Sequence, residues 1–321
     1  MSDSATTSRE RGDAAAAGSR PPAASAKRLA SLDAFRGFTM LWIVGGKSLA
    51  LALGALGAGT IADVIRTQLT HSTWEGLRYY DVIWPSFMLM VGMSVPFSFA
   101  KRSQTQTRSQ ILLTAVKRTI VLFLLGSFRA SLSDNVPTLV ELSSALQPIA
   151  LAYLVAALLV AQSVRIQAAV GALILVAYGL LLAFVPGPGV AAGSYAINAN
   201  LVTAVDQAVL GRFHPEGWGT VLSAIPTIST TILGLLIGEL LLSRHAASRK
   251  AVIIGGIGLA AVVLGWALSP VVPVIMKLWT ASYGLVSAGW ACLLFAAFYW
   301  IIDVWGLRRW SFPFAVIGMN A

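Results

Sequence analysis

Eight apolar runs, separated by short polar or basic segments, constrain this chain more than any motif in it. The first starts near residue 31. The others lie at about 77–100, 111–130, 146–163, 166–186, 220–242, 251–268 and 279–302, and a ninth begins near 311. A helix needs roughly 20 apolar residues to cross a bilayer, and hydrocarbon offers its backbone no hydrogen-bond partner outside the helix. With 57% hydrophobic and 11% charged residues and a mean hydropathy of +0.76, the expected fold is all-α. It is a polytopic transmembrane helical bundle with about eight complete membrane helices plus the start of a ninth.

The charges set the expected orientation. A formal net charge of +10 would point to nucleic acid in a soluble protein, but 16 of the 23 Lys and Arg fall in five segments between or before apolar runs. These are Arg9, Arg11, Arg20, Lys27 and Arg28; Lys101, Arg102, Arg108, Lys117 and Arg118; Arg165; Arg244, Arg249 and Lys250; and Arg308 and Arg309. The alternate segments carry Arg66, Arg78, Arg129, Arg212 and Lys277. The positive-inside bias places the N-terminus in the cytoplasm and His71 on the far side, periplasmic if the membrane is a bacterial inner membrane. Nucleic acid is not an expected partner; the bilayer is, and a homodimer is left open. Residues 1–27 have no apolar core and are expected to form a disordered cytoplasmic tail before a membrane domain at 28–321. A single cysteine, Cys292, and three histidines argue against a disulfide framework and a metal centre, so no metal is expected.

The most chemical stretch is His71–Ser98, HSTWEGLRYYDVIWPSFMLMVGMSVPFS. Read as a helix from Leu77, it holds Asp81 near its start. Pro85 cannot donate to the Asp81 carbonyl and Pro96 cannot donate to that of Gly92, so both oxygens are left free and the helix is expected to bend. A carboxylate beside a free carbonyl suits a site, although pairing with a neighbouring Arg or Lys reads equally from the residues. His71 titrates near neutrality and can accept a proton from an amine or hydroxyl, with Asp81 to orient its ring. An isolated interfacial histidine, and an aromatic belt of Trp74, Tyr79 and Tyr80, are the plain alternatives. In the first run Asp33 and Arg36 are spaced to pair, and Ser31 or Asp33 can cap the helix. Lys47 follows Gly45 and Gly46 near mid-membrane, where it needs either Asp81 or an anionic ligand such as phosphate. The long connection at 187–219 brings His214 and Glu216 to the His71 side. Its HPEG reads as a turn, with Glu216 either near the next helix start or in contact with substrate. Lys277, in KLWTASYGL, reads plainly as an interface anchor.

Six stretches together resemble the bacterial relatives of heparan-α-glucosaminide N-acetyltransferase, a family of polytopic acyltransferase-like membrane proteins. They are SLDAFRGFTM at 31–40, HSTWEGLRYYDVIWPSF at 71–87, LQPIALAYL at 146–154, HPEGWGTVLSAIPTIST at 214–230, KLWTASYGLVSAGW at 277–290 and RRWSFPFAVIGMNA at 308–321. The resemblance implies an acetyltransferase acting on a small-molecule or glycan acceptor. Acetyl passes from cytoplasmic acetyl-CoA, a co-substrate, to the amino group of a glucosamine-type sugar on the opposite side. His71 would be catalytic, taking the amine proton or carrying the acetyl group, and Asp81 would hold the site. Trp74, Glu75, Lys47, His214, Glu216 and Lys277 would contact substrate, while Asp33 and Arg36 would approach the CoA end. The chain departs from the family at Gly45, where an asparagine is expected, and at Pro148, which replaces an arginine. The resemblance also implies further membrane helices after Ala321. A transporter lined by Lys47, Asp81 and Glu239, and an inactive scaffold, are the competing readings.

Overall fold

The computed structural model describes residues 29–55, 59–134, 142 and 144–320. The expected tail at 1–27 lies outside the described residues. Among the described residues, eleven α-helices follow one another: α1 (Ala30–Ala55), α2 (Thr60–Gln68), α3 (Ile83–Arg102), α4 (Arg108–Asp134), α5 (Leu146–Leu159), α6 (Val164–Phe184), α7 (Leu201–Leu210), α8 (Ala224–Leu242), α9 (Ala247–Leu268), α10 (Ala281–Tyr299) and α11 (Phe312–Met319). A 3-10 turn at Tyr79–Val82 leads into α3, and a π-helical turn at Trp300–Val304 extends α10. Among the described residues, seven helices are long and apolar enough to cross a membrane: α1, α3 with its 3-10 turn, α4, α6, α8, α9 and α10 with its π turn. The protein is an all-α, multi-pass membrane protein.

The expected run at 146–163 differs. Its helix, α5, has 14 residues, roughly 21 Å against a hydrocarbon core of about 30 Å. The break at 160–163 supplies the reason. Ser163 has extended backbone and caps α6, its hydroxyl accepting from the Ile166 amide at 3.4 Å. The chain turns there instead of continuing.

Glycines bring the membrane helices into contact. A Cβ at Gly92 of α3 would strike the Thr231 carbonyl of α8 and sit 2.9 Å from Gly234 Cα, and one at Gly238 would lie 2.6 Å from the Met93 carbonyl. Gly258 of α9 and Gly289 of α10 face each other's carbonyls, and Gly37 of α1 lies against Phe314 and Gly318 of α11. Lipid gives helices no hydrophobic incentive to associate, so such backbone approach supplies the van der Waals contact that holds them. The main core cluster gathers Phe35, Met90, Met93, Ile237, Phe295 and Tyr299 from α1, α3, α8 and α10.

Ser31 and Asp33 sit inside the first turn of α1, which begins at Ala30, so neither is the expected cap. The Ser31 amide instead donates to Asp303 Oδ2 of the π turn at 3.2 Å. That bond puts the Ala30 end of α1 beside the C-terminal end of α10. The opposite end of the bundle is where α3, α8 and α10 begin, and the loops before those three helices form the candidate site.

Candidate functional site

His71 and Asp81 meet. Nδ1 of His71 lies 2.8 Å from Asp81 Oδ1; the carboxylate side chain is fully buried and the imidazole is 40% exposed. The sequence arranges this locally. Asp81 sits in the 3-10 turn and its Oδ2 accepts the Arg78 amide at 2.9 Å, while both oxygens take the Ser72 amide at 3.3–3.4 Å. The Arg78 guanidinium closes the loop by donating to the His71 carbonyl at 2.7 Å and to Thr70 Oγ1 at 2.9 Å. Gln68 Oε1 accepts from the Tyr79 amide at 2.9 Å. A carboxylate only accepts hydrogen bonds, so Nδ1 carries a proton, and the neutral form of the ring has its lone pair on Nε2.

The free carbonyl expected at Asp81 has been filled. Helix α3 begins at Ile83, so Pro85 lies in its first turn, where a missing N–H costs little. The Asp81 oxygen that Pro85 cannot reach instead accepts from the Tyr283 hydroxyl of α10 at 2.7 Å. The Tyr283 ring lies edge-on to Trp279 at 5.3 Å, and Trp279 to Trp84 at 4.9 Å. Tyr283→Phe should lower stability by about 1–3 kcal/mol, the cost of an unmet buried acceptor. Thermal unfolding of the purified variant checks it, and an unchanged midpoint would remove Tyr283 from the support of Asp81.

Two rings flank the imidazole: Tyr80 at 4.7 Å and Trp218 at 5.3 Å, both steeply inclined to it. Trp218 arrives on the HPEG loop. That loop makes the expected turn, with Gly217 at φ +79° and its amide donating to the His214 carbonyl at 2.9 Å. The Trp74 ring lies against Gly217, and Trp74 Nε1 donates to the Tyr195 carbonyl at 2.9 Å. Glu216 does not act at a helix start, since α8 begins only at Ala224. Its carboxylate accepts from Trp218 Nε1 at 3.2 Å, and its carbonyl accepts from Lys277 Nζ at 2.8 Å. Lys277 is buried rather than a surface anchor, and its ammonium lies 5.4 Å from the Trp218 ring centre. His214 is exposed, with Nδ1 accepting the Glu216 amide. Glu75 is exposed too, its backbone bridged to Ile275.

The structure separates the remaining candidates. Lys47 is exposed, and Asp81 is taken by His71 and two amides, so the two do not pair. Gly46 approaches the Tyr80 ring, 3.0 Å from a Cβ placed there. That contact sets this part of α1 beside the 3-10 turn that leads into α3. Asp33 and Arg36 do pair, at 3.6 Å, but Arg36 also donates to Ser94 Oγ of α3 and to the Gly318 carbonyl of α11. They brace the Ala30 half of the bundle, away from His71. Glu239 accepts from Gln167 at 2.7 Å near the C-terminal end of α8, at the opposite end of the bundle from Asp81. Gln147, beside Pro148, is buried and ties α5 to Ser127 of α4.

Asp206 of α7 anchors the Trp218 loop from behind, its buried carboxylate accepting the Thr220 and Val221 amides at 3.0 Å each. Burial raises its pKa above the usual carboxylate value, against the lowering effect of those amides. The folded state therefore holds the proton more tightly than the unfolded chain. Stability is lost as pH rises from the ordinary aspartate value through the raised one. Melting curves across mildly acidic pH should show the wild type losing ground to Asp206→Asn as pH increases. A constant difference would contradict the burial effect.

Sequence reasoning missed Trp218, Tyr283 and Asp206. The first two stood inside quoted motifs, HPEGWG and WTASYG, without a role; only Trp218's place beside HPEG hinted at one. At the other end of the bundle, a cavity of about 20 Å³ lies among Phe99, Arg102, Tyr153 and their neighbours, space for about one water.

Residues 28–202, more than half of the chain, match a family described as a domain of unknown function, DUF5009. The chain belongs to the DUF5009 family. No curated protein matches it. The DUF5009 match takes in His71 and Asp81 with the loop that joins them. His214, Glu216, Trp218, Lys277 and Tyr283 lie beyond it.

Proposed function

We propose that this DUF5009 protein is a membrane acetyltransferase that moves acetyl from acetyl-CoA to the amino group of a glucosamine-type sugar at the His71 end of the bundle. The observation that carries the reading is the His71–Asp81 pair, a half-exposed imidazole oriented by a buried carboxylate between two aromatic rings. His71 Nε2 takes the proton from the acceptor amine as its nitrogen attacks the thioester carbonyl, and Asp81 stabilises the imidazolium that forms. The C–S bond then breaks to release CoA thiolate, which takes the proton back from the imidazolium. Tyr80 and Trp218 present ring faces and edges of the kind that hold sugars and limit water at the imidazole. Acetyl-CoA supplies the activated acetyl thioester. The exposed Arg108, Lys117 and Arg118 fit its phosphates better than Arg36, whose donors already serve Ser94 and Gly318.

In this reading the N-terminus is cytoplasmic, the membrane is a bacterial inner membrane, and about eight helices belong to the bundle. Buried Met88, Leu89, Met90 and Met93 of α3 fill the interior between the two ends, so acetyl reaches His71 only when helices move apart. The test is transfer of radiolabelled acetyl from acetyl-CoA to glucosamine by purified protein in lipid nanodiscs. Label appearing on the sugar amine supports the reading, and none under any donor concentration overturns it.

A further inference from the structure

We propose that Lys277 is a positioning residue for His71: its ammonium holds the Trp218 ring where that ring borders the imidazole. The inference rests on His71 being the base in the reading above. Lys277 is 8% exposed, yet the salt bridges among the described residues join other groups and none reaches it. Its ammonium has two contacts, the Glu216 carbonyl at 2.8 Å and the Trp218 ring centre at 5.4 Å. A buried ammonium without a counter-charge is costly. A methionine would fill the same space without that cost, so what the lysine adds is its charge, and an aromatic face attracts a cation through its quadrupole.

The loop that carries Trp218 does not need the Lys277 side chain to hold its backbone. Asn198 Nδ2 donates to the Pro215 carbonyl at 2.8 Å on one side of the ring, and Asp206 accepts the Thr220 and Val221 amides on the other. The Gly219 amide donates to the backbone carbonyl of Lys277 at 3.0 Å, a bond that survives any side chain there. The ring is a different matter. Its Nε1 donates to the exposed Glu216 carboxylate at 3.2 Å, and one bond at an edge leaves the plane free to tilt, whereas a cation over the face fixes it. The imidazole lies 5.3 Å from that same ring, the two planes at 82°. Lys277 is itself firmly based. The Gly76 amide ties its segment to the His71 loop through the Val274 carbonyl at 2.8 Å, and the Tyr178 hydroxyl ties it to α6 through the Leu278 carbonyl at 2.6 Å. Tyr80, the other flank of the imidazole, belongs to the His71 loop, so Trp218 is the flank that a distant segment sets.

Carbethoxylation of histidines by diethyl pyrocarbonate, read residue by residue by mass spectrometry on protein in nanodiscs, reports the cover over His71 without sugar or donor. Lys277→Met should raise the His71 rate severalfold, as Trp218→Leu does. The double variant should go no further, because both changes remove the same cover. Lys277→Gln keeps a donor for the Glu216 carbonyl but has no charge; it should match Lys277→Met and decides the question if that variant does not fold. Lys277→Arg should stay near wild type. His214, on the same loop as Trp218, should keep its rate throughout. An unchanged His71 rate in the Met and Gln variants, or additive effects in the double variant, overturns the proposal. So does a rise at His214 equal to that at His71, which would make Lys277 a brace for the loop alone. In acetyl transfer, Lys277→Met should raise the KM for glucosamine about tenfold and leave kcat within about threefold; a fall in kcat alone also overturns the proposal. The expected footprint in a wild-type protein that transfers no acetyl sinks the acetyltransferase reading alone.

Discussion

His71→Ala should lower acetyl transfer by about 10²–10⁴-fold, the range that a positioned general base contributes, while the protein remains folded. The imidazole is 40% exposed, so little core is lost. Asp81, the group whose exposure would be costly, keeps the Ser72 and Arg78 amides. Initial rates against acetyl-CoA concentration, measured beside a thermal melt, separate the two effects. A large fall in rate with a melting point within a few degrees of wild type is the expected result. Retained transfer would remove His71 from the chemistry. Asp81→Asn adds a control, because an amide can donate to Nδ1 and so favour the tautomer with the proton on Nε2, which cannot act as the base. It should approach the alanine variant in rate with the shape of the site nearly unchanged.

Gly92→Leu should prevent assembly of the bundle. Helices α3 and α8 touch backbone to backbone at Gly92 and Gly234, and the added Cβ alone would strike the Thr231 carbonyl and stand 2.8 Å from the Leu235 amide nitrogen. Overpacking a core that can shift side chains costs roughly 1–3 kcal/mol. Here the obstacle is backbone, so relief requires the helices to separate along a seam that also includes Gly238 and Met93. Detergent-solubilised variant should emerge from size-exclusion chromatography as aggregate or in very low yield. The same substitution at Gly256, where a Cβ meets nothing within 4 Å, should leave a monodisperse peak. Equal behaviour of the two variants would show that the α3–α8 seam does not depend on the missing side chain.

The membrane helices were legible because their signal is local: a run of apolar residues has to span, and its polar flanks mark the ends. Where the run at 146–163 concealed a break, Ser163 held the clue, since a serine with extended backbone caps the next helix. The His71–Asp81 pair was legible for a similar reason, being ten residues apart in one loop. Trp218 and Tyr283 carry no such signal. Each reaches the site from a different helix start, and Tyr283 is 202 residues from the oxygen it serves, a distance no periodicity encodes. Glu216 and Lys277 read as sharing the His71 end, as they do, but their mutual bond depends on how two loops cross. Lys47 read as a partner for Asp81 from charge alone, but the carboxylate is filled by His71 and by the Ser72 and Arg78 amides of its own loop.

The bond from Tyr283 to Asp81 also bears on how the protein is made. A backbone donor four residues away would complete the Asp81 turn while the nascent chain was still short, but Pro85 removes that option and a hydroxyl on α10 replaces it. The Asp81 side chain is thus held by its own loop, whereas its carbonyl gains a partner only when α10, whose Tyr283 lies 202 residues further along the chain, has packed against it.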